Sequence, residues 1–195
     1  MKTIFFDIDS QLDFLYPAGA LYVPGAERIV PAIARLNRYA AAHGIPVIST
    51  AAAHREDDAE FRQWPAHCVA GTIGQRKAEA TLLEPSVVVP NRECELALDG
   101  ARQIVVEKQH VNAFTARHLS PIVEWLAADR FVVYGVVTEI CVLFAARGLL
   151  KYGKPLTIVT DAVRALTAEA SGRALEEIRA AGGTLALASE IAGSF

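Results

Sequence analysis

Short, continuous apolar runs alternate with longer stretches of helical spacing along the whole chain, and this alternation restricts the fold more than any other feature. The runs cover 3–8, 46–50, 86–89, 104–107, 131–137, 156–160 and 184–188. Strands that are apolar at consecutive positions, rather than at every second one, suit a parallel sheet buried on both faces. Between them lie 26–43, apolar at Ile29, Ile33, Leu36 and Ala40, then 115–127, 140–152 and 167–181, all with helical periodicity. Punctuation agrees: His43-Gly44-Ile45-Pro46, Tyr152-Gly153-Lys154-Pro155 and Ala181-Gly182-Gly183 each end a helix and turn into a strand. The pattern predicts a three-layer α/β/α sandwich around a mostly parallel, roughly six-stranded sheet of Rossmann-like topology.

A chain of 195 residues with 52% hydrophobic content can bury one sizeable core, so a single domain over 1–195 is expected. The net charge of −3 and the absence of long Lys/Arg runs argue against nucleic acid and against an anionic membrane as partners. A small molecule is the expected ligand. The first apolar residues meet Asp7 too soon for a signal segment, and no stretch is long enough to span a bilayer, so a cytoplasmic location is expected. Cys68, Cys94 and Cys141 are odd in number and irregularly spaced, which fits reduced thiols better than a disulfide framework.

Ligands of such sheets collect at the carboxyl ends of the strands. Three reactive side chains fall there: Asp9 after the first run, Lys108 after the fourth, and Cys141 after the fifth. The set is chemically coherent. A carboxylate can take the thiol proton, an ammonium favours the charged form of both neighbours, and a thiol at a helix start meets unpaired N–H groups. Backbone N–H groups of Val137 and Cys141, in the turn before that helix, are positioned to form an oxyanion hole. Taken singly, Cys141 could equally be a small core residue, Asp9 a turn cap and Lys108 a solvated charge.

The residues around all three share one resemblance. Asp9-Ser10-Gln11-Leu12-Asp13-Phe14 resembles the D-x-Q-x-D-F signature of the isochorismatase-like cysteine hydrolases, and Gly135-Val136-Val137-Thr138-Glu139-Ile140-Cys141-Val142 resembles their G-x-x-T-[DE]-x-C-V nucleophile turn. Lys108, with Asn112-Ala113-Phe114 after it, is similar to the family lysine and its S/N-A-F. The resemblance implies an Asp9, Lys108 and Cys141 catalytic set and a cis peptide bond between Val136 and Val137. Spacing to Gln11, Asp13 and Phe14 selects Asp9 over Asp7. By period-two alternation Asp7 shares a face with Asp9, where it would raise the pKa of Asp9 or be a buried polar residue satisfied by other groups; its role stays open.

Trp64-Pro65-Ala66-His67-Cys68-Val69-Ala70-Gly71-Thr72-Ile73-Gly74 is similar to the W-P-x-H-C-V-x-G-T-x-G stretch of nicotinamidases. In that branch the histidine ligates a metal together with an upstream D-x-H, and the metal holds the pyridine nitrogen of the substrate. Here Ala52 stands where that aspartate would be, two residues before His54. Glu60, Asp57 and Asp58 are candidates for the missing oxygen ligands. His54, His67 and a carboxylate would suit zinc, iron or manganese; the alternative is that both histidines only hydrogen-bond around a remodelled pocket. No organic cofactor is implied. Phe14 and Trp64 match aromatic walls of the nicotinamidase pocket, and either could be ordinary core.

The expected activity is hydrolysis of a small, nicotinamide-like carboxamide to acid and ammonia through a thioester on Cys141. The alternative within the superfamily is a metal-independent amidase acting on a carbamoyl, ureido or maleamate-type amide, which the loss of the aspartate at Ala52 favours. A catalytically silent binding or assembly protein is the reading from another class, and the three intact groups oppose it. Family members commonly assemble as dimers or tetramers, so a homo-oligomer is expected.

Overall fold

Strand β1 (Thr3–Ile8) is buried at all six positions, so it must lie inside the sheet with cover on both sides. The computed structural model, which describes residues 2–193, places it there. Seven strands form one sheet in the order β3-β4-β2-β1-β5-β6-β7, with β2 (Val47–Ala52), β3 (Ser86–Val89), β4 (Gln103–Lys108), β5 (Arg130–Val136), β6 (Leu156–Arg164) and β7 (Thr184–Ala186). Every pairing is parallel. The sheet has seven strands rather than about six. Its last strand is only three residues long and is held at the edge by β6, where the Thr157 and Thr184 hydroxyls lie 2.9 Å apart.

Among the described residues six α-helices accompany the strands: α1 (Leu12–Leu15), α2 (Val30–Ala42), α3 (Leu119–Leu126), α4 (Leu143–Leu150), α5 (Ala168–Ala180) and α6 (Ala188–Ala192). The expected helix at 115–127 begins later, at Leu119, after a tight turn at Ala113–Thr115. The one expected at 140–152 begins at Leu143, because Thr138–Val142 forms a wider, π-type turn. Helices α1 and α6 are too short to leave a periodic signature. Strand β6 runs to Arg164, beyond the expected end at 160, because its pairing with β5 skips residues after Ile158 and resumes at Val163 opposite Gly135. No helix among the described residues is long and apolar enough to cross a membrane.

Packing follows the alternation of side chains across the sheet. On one face Phe5 meets Tyr134 edge-on at 6.0 Å and Tyr39 of α2 at 6.4 Å; on the other, Phe6 meets Phe131 edge-on at 5.8 Å. Truncating such a fully buried ring costs about 3–5 kcal/mol. This rigid centre carries the carboxyl end of β1, between β2 on one side and β5 on the other. The chain leaves that point in opposite directions, and the crevice so formed is where ligands of such sheets bind.

Candidate active site

The crevice is made by close backbone contact. Gly135 lies opposite Ile8 with φ of 118°, and a Cβ there would lie 2.1 Å from the Ile8 carbonyl oxygen, so no other residue fits. The strand ends there, and the peptide bond between Val136 and Val137 is cis. In the turn that follows, the Val137 carbonyl accepts from the N–H groups of Ile140 (3.0 Å) and Val142 (3.1 Å), which presents Cys141 at the floor of the crevice.

On the opposite side β1 stops at Ile8, and Asp9 takes a left-handed φ of 49°. Its carboxylate accepts from Thr50 Oγ1 at 2.6 Å through Oδ1. Lys108 Nζ lies 2.8 Å from Oδ2 as a buried ion pair. Lys108 Nζ also lies 3.7 Å from Cys141 Sγ. Asp9, Lys108 and Cys141 are all buried.

Electrostatics in this cluster differ from the expectation of a standing thiolate. Burial pushes the Cys141 thiol well above the ordinary cysteine range; Lys108 opposes that, and Asp9 adds to it. Burial would likewise depress the Lys108 ammonium, but the Asp9 carboxylate and then Cys141 overcome it and hold Lys108 above the ordinary lysine range. Burial thus favours the thiol over the thiolate beside the Asp9–Lys108 pair, an arrangement in which any nucleophilic use of the sulfur would need a base.

Above the cluster lies a cavity of about 40 Å³ walled by Phe14, Leu21, Val23, Trp64, Val111, Ile140 and Leu166, with Ala52, His54, Glu60, His67, Lys108 and Cys141 completing its lining. Phe14 and Trp64 are thus both wall residues. Among the described residues lining it, Lys108 is the one Lys or Arg, and it is paired. Two larger clefts, one along α4 and one against β3 and β4, contain none of these groups.

His54, Glu60 and His67 offer ligand atoms within 4.8 Å of one another. The donor chemistry fits a divalent metal. His54 Nδ1 donates to Asp58 Oδ2 at 3.0 Å and His67 Nδ1 to the Pro65 carbonyl at 2.7 Å, so both Nε2 lone pairs are free. Burial, more than any other cause, holds the His67 imidazole below the ordinary histidine range, which keeps it neutral. Of the other oxygen candidates, Asp58 stands behind His54, and exposed Asp57 turns to Arg55 at 3.3 Å. Neither joins the cluster. Position 52 supplies only a methyl group.

Several positioning groups carried weak signals in sequence. The Gln11 side chain acts as a strand partner for the end of β2, donating to the Ala52 carbonyl (2.8 Å) and accepting from its N–H (2.7 Å). Asp13 accepts from the Cys68 and Ala20 N–H groups at 2.6 and 2.9 Å, which ties the histidine loop to the Phe14 wall. Both are letters of the D-x-Q-x-D-F motif. Thr50 is an unremarked residue of an apolar strand and could not have been singled out.

Asp7 belongs elsewhere. In register it sits beside Ser49, whereas Asp9 bonds the next residue, Thr50, which points to the other face of β2. The expectation that the two aspartates share a face fails because the strand ends before Asp9. Asp7 Oδ2 is 2.8 Å from Lys77 Nζ and accepts from Asn37 Nδ2 (3.0 Å) and Ser49 Oγ (3.4 Å). Asn37 Oδ1 in turn accepts from Tyr134 (2.5 Å).

With this geometry in place, the chain's relationships are clear. Residues 3–190 match the isochorismatase domain, and the chain belongs to the isochorismatase family. Among curated proteins it is similar to maleamate amidohydrolase of Pseudomonas putida, 27% identical over 158 residues that cover 80% of this chain and 69% of that one. Among solved structures it resembles the pyrazinamidase of Pyrococcus horikoshii in complex with zinc, with a TM-score of 0.80, 27% identity and coverage of 96% and 99%. Nicotinamidase of Bacillus subtilis superposes with a TM-score of 0.83 at 25% identity, covering 95% of this chain and 99% of that one.

Proposed function

We propose that this protein is a hydrolase of amide C–N bonds that converts a small, neutral carboxamide of the nicotinamide kind to its acid and ammonia, with Cys141 as nucleophile. The observation that carries the reading is the buried cluster of Asp9, Lys108 and Cys141 under a largely apolar, aromatic-walled cavity. Similarity to a nicotinamidase, a pyrazinamidase and an amidohydrolase supports the reaction class.

Asp9 takes the thiol proton as sulfur attacks the carbonyl carbon, since burial disfavours a free thiolate at rest. The Val137 and Cys141 N–H groups receive the developing oxyanion. Asp9 then returns the proton to the departing ammonia, takes one from the water that cleaves the thioester, and passes it to the leaving sulfur, which restores the Cys141 thiol and the Asp9 carboxylate. Lys108 pairs with the carboxylate between steps and balances the sulfur charge. His54, Glu60 and His67 would hold a divalent metal such as zinc, iron or manganese, and a bound metal would offer a coordination position to a substrate ring nitrogen. Phe14 and Trp64 flank the substrate plane.

Among the described residues lining the cavity, Lys108 is the one Lys or Arg and is held by Asp9, so without a bound metal a substrate carboxylate would find no free charge partner there. That favours a neutral amide over maleamate. The second reading, a metal-independent amidase for carbamoyl, ureido or maleamate-type amides, draws on Ala52 and on the relative in Pseudomonas putida. Ammonia release from nicotinamide, pyrazinamide, maleamate and ureido amides, before and after chelation and re-metallation, separates the two. Chelator-sensitive nicotinamide turnover is the expected result; turnover confined to non-pyridine amides and indifferent to chelator would overturn the first reading. Three free thiols, with no disulfide among the described residues, support a cytoplasmic location, and exposed Trp125 and Val88 offer apolar surface for the homo-oligomer.

A further inference from the structure

The ammonium of Lys77 touches two residues that straddle Asp9. It lies 2.8 Å from Asp7 Oδ2 and donates to Ser10 Oγ. Thr81 Oγ1 gives its proton to the Ala78 carbonyl at 2.8 Å, so it can only accept from Ser10 Oγ, 3.2 Å away. The direction of the chain is therefore fixed from Lys77 to Ser10 to Thr81, because a lysine ammonium has no acceptor. The backbone of the same stretch is tied down as well, with Ala78 N–H donating to the Ser10 carbonyl at 2.9 Å and residue 11 bridged to residue 77. Asp7, Ser10, Lys77 and Thr81 are all buried.

Between the two gripped residues sits Asp9, whose left-handed backbone is one that side chains other than glycine rarely adopt. That conformation turns its carboxylate toward Thr50 and Lys108, on the face opposite Asp7. The Asp9 N–H donates to the Thr50 carbonyl at 3.2 Å and its carbonyl accepts from the Gln11 N–H at 2.7 Å, and to these ties on one side the Lys77 contacts add a hold on the residues that flank the turn. We propose that Lys77 is a positioning residue: by holding Asp7 and Ser10 at once, it keeps Asp9 in the turn that aims its carboxylate at Lys108 and Cys141. The proposal rests on the reading that Asp9 acts on Cys141, and it holds whichever amide is the substrate.

The test uses a readout that needs no substrate. Labelling of Cys141 by iodoacetamide at neutral pH is followed by mass spectrometry, with half-buried Cys94 as internal reference. Asp7→Asn/Lys77→Met removes both charges together and so avoids an unpaired buried ion, while Ser10→Ala removes only the grip beside Asp9. With folding verified by thermal melts, both are expected to slow Cys141 labelling relative to Cys94, the double variant by about tenfold or more. The turnover number is expected to fall in step, with KM changed less than about twofold. In an Asp9→Asn background the double variant should slow labelling no further, since its effect is exerted through Asp9. Because Asp9 also raises the thiol, wild-type or faster labelling in the folded double variant would show that its aim does not govern Cys141, and that result, or an equal slowing in the Asp9→Asn background, would overturn the proposal. Failure of the wild-type protein to release ammonia from any amide counts against the amidase reading and leaves the labelling comparison to decide the role of Lys77.

Discussion

Two buried aspartate–lysine pairs lie on opposite faces at the end of β1, each with a 2.8 Å contact, and they differ in what surrounds them. Asp7 and Lys77 sit in a closed web of Asn37, Ser49, Ser10, Thr81 and Tyr134, where nearly every donor has an acceptor. Asp9 and Lys108 open onto a cavity and onto a thiol that their own charges cannot fully ionise. Each pair leaves one buried carboxylate oxygen without a hydrogen-bond partner, Asp7 Oδ1 and Asp9 Oδ2, so the difference lies in the setting: polar side chains surround the first pair, while a cavity and a thiol adjoin the second. What each pair faces, rather than the pair itself, distinguishes the two sides of the sheet.

The largest expected effect falls on the open pair. Cys141→Ala should abolish ammonia release while shifting the melting temperature by only a few degrees, since a thiol and a methyl are of similar size; residual activity near wild type would remove the nucleophile from the scheme. Asp9→Asn, assayed in the same way, should lower the turnover number by about 10²–10⁴-fold, the usual worth of a positioned base. Should Asp9→Asn leave turnover intact, the two pairs would not differ in the way described.

The closed pair should answer in stability as well as in the labelling of Cys141. Lys77→Met and Asp7→Asn each leave a buried charge alone, and denaturant melts should show losses of about 3–5 kcal/mol, with the double variant losing less than either single. Additive losses would mean the pair is not coupled. Of intermediate size is the effect at the candidate metal site of His54, Glu60 and His67: Asp58→Ala frees His54 Nδ1 and should weaken zinc affinity by about 10–100-fold in a competitive chelator titration, with the secondary structure unchanged.

A smaller effect concerns alkaline pH. Burial raises Cys68 and Cys141 above their ordinary value of 9.0, burial raises Tyr134 above 10.0 with Asp7 adding to it, and Asp9 raises Lys108 above 10.5 against the effect of burial. In each case the unfolded chain releases its proton first. The stability that depends on these groups is therefore complete below about pH 9 and declines as pH rises past each ordinary value in turn. Melting temperatures measured from pH 8 to 11 should fall, and Cys68→Ala should flatten the first part of that slope. A flat profile in the unaltered protein would mean these groups titrate alike in both states.

Much of the architecture could be read from the chain, because consecutive apolar residues at Ile4, Phe5 and Phe6 or at Val132 and Val133 have no stable place except between two layers of helix. Element ends were less legible. The wide turn at Thr138–Val142 and the skipped pairing in β6 arise from contacts between β5 and its neighbours, which leave no periodic trace. Glu60 was separable from Asp57 and Asp58 only by spacing, and which carboxylate faces the two histidines depends on how one short turn lies against them.

By itself the sequence determined the layered fold, the three reactive residue types at strand ends and the missing carboxylate at Ala52, because each is a matter of local chemistry and its period along the chain. Only the tertiary structure decided which aspartate meets which lysine. Asp7 and Asp9 are two residues apart and chemically alike, and one left-handed residue sends them to opposite faces of the sheet, one into a closed network and the other against a thiol. That choice depends on contacts from Thr50, Lys77 and Lys108, dozens of residues away, which no local pattern encodes.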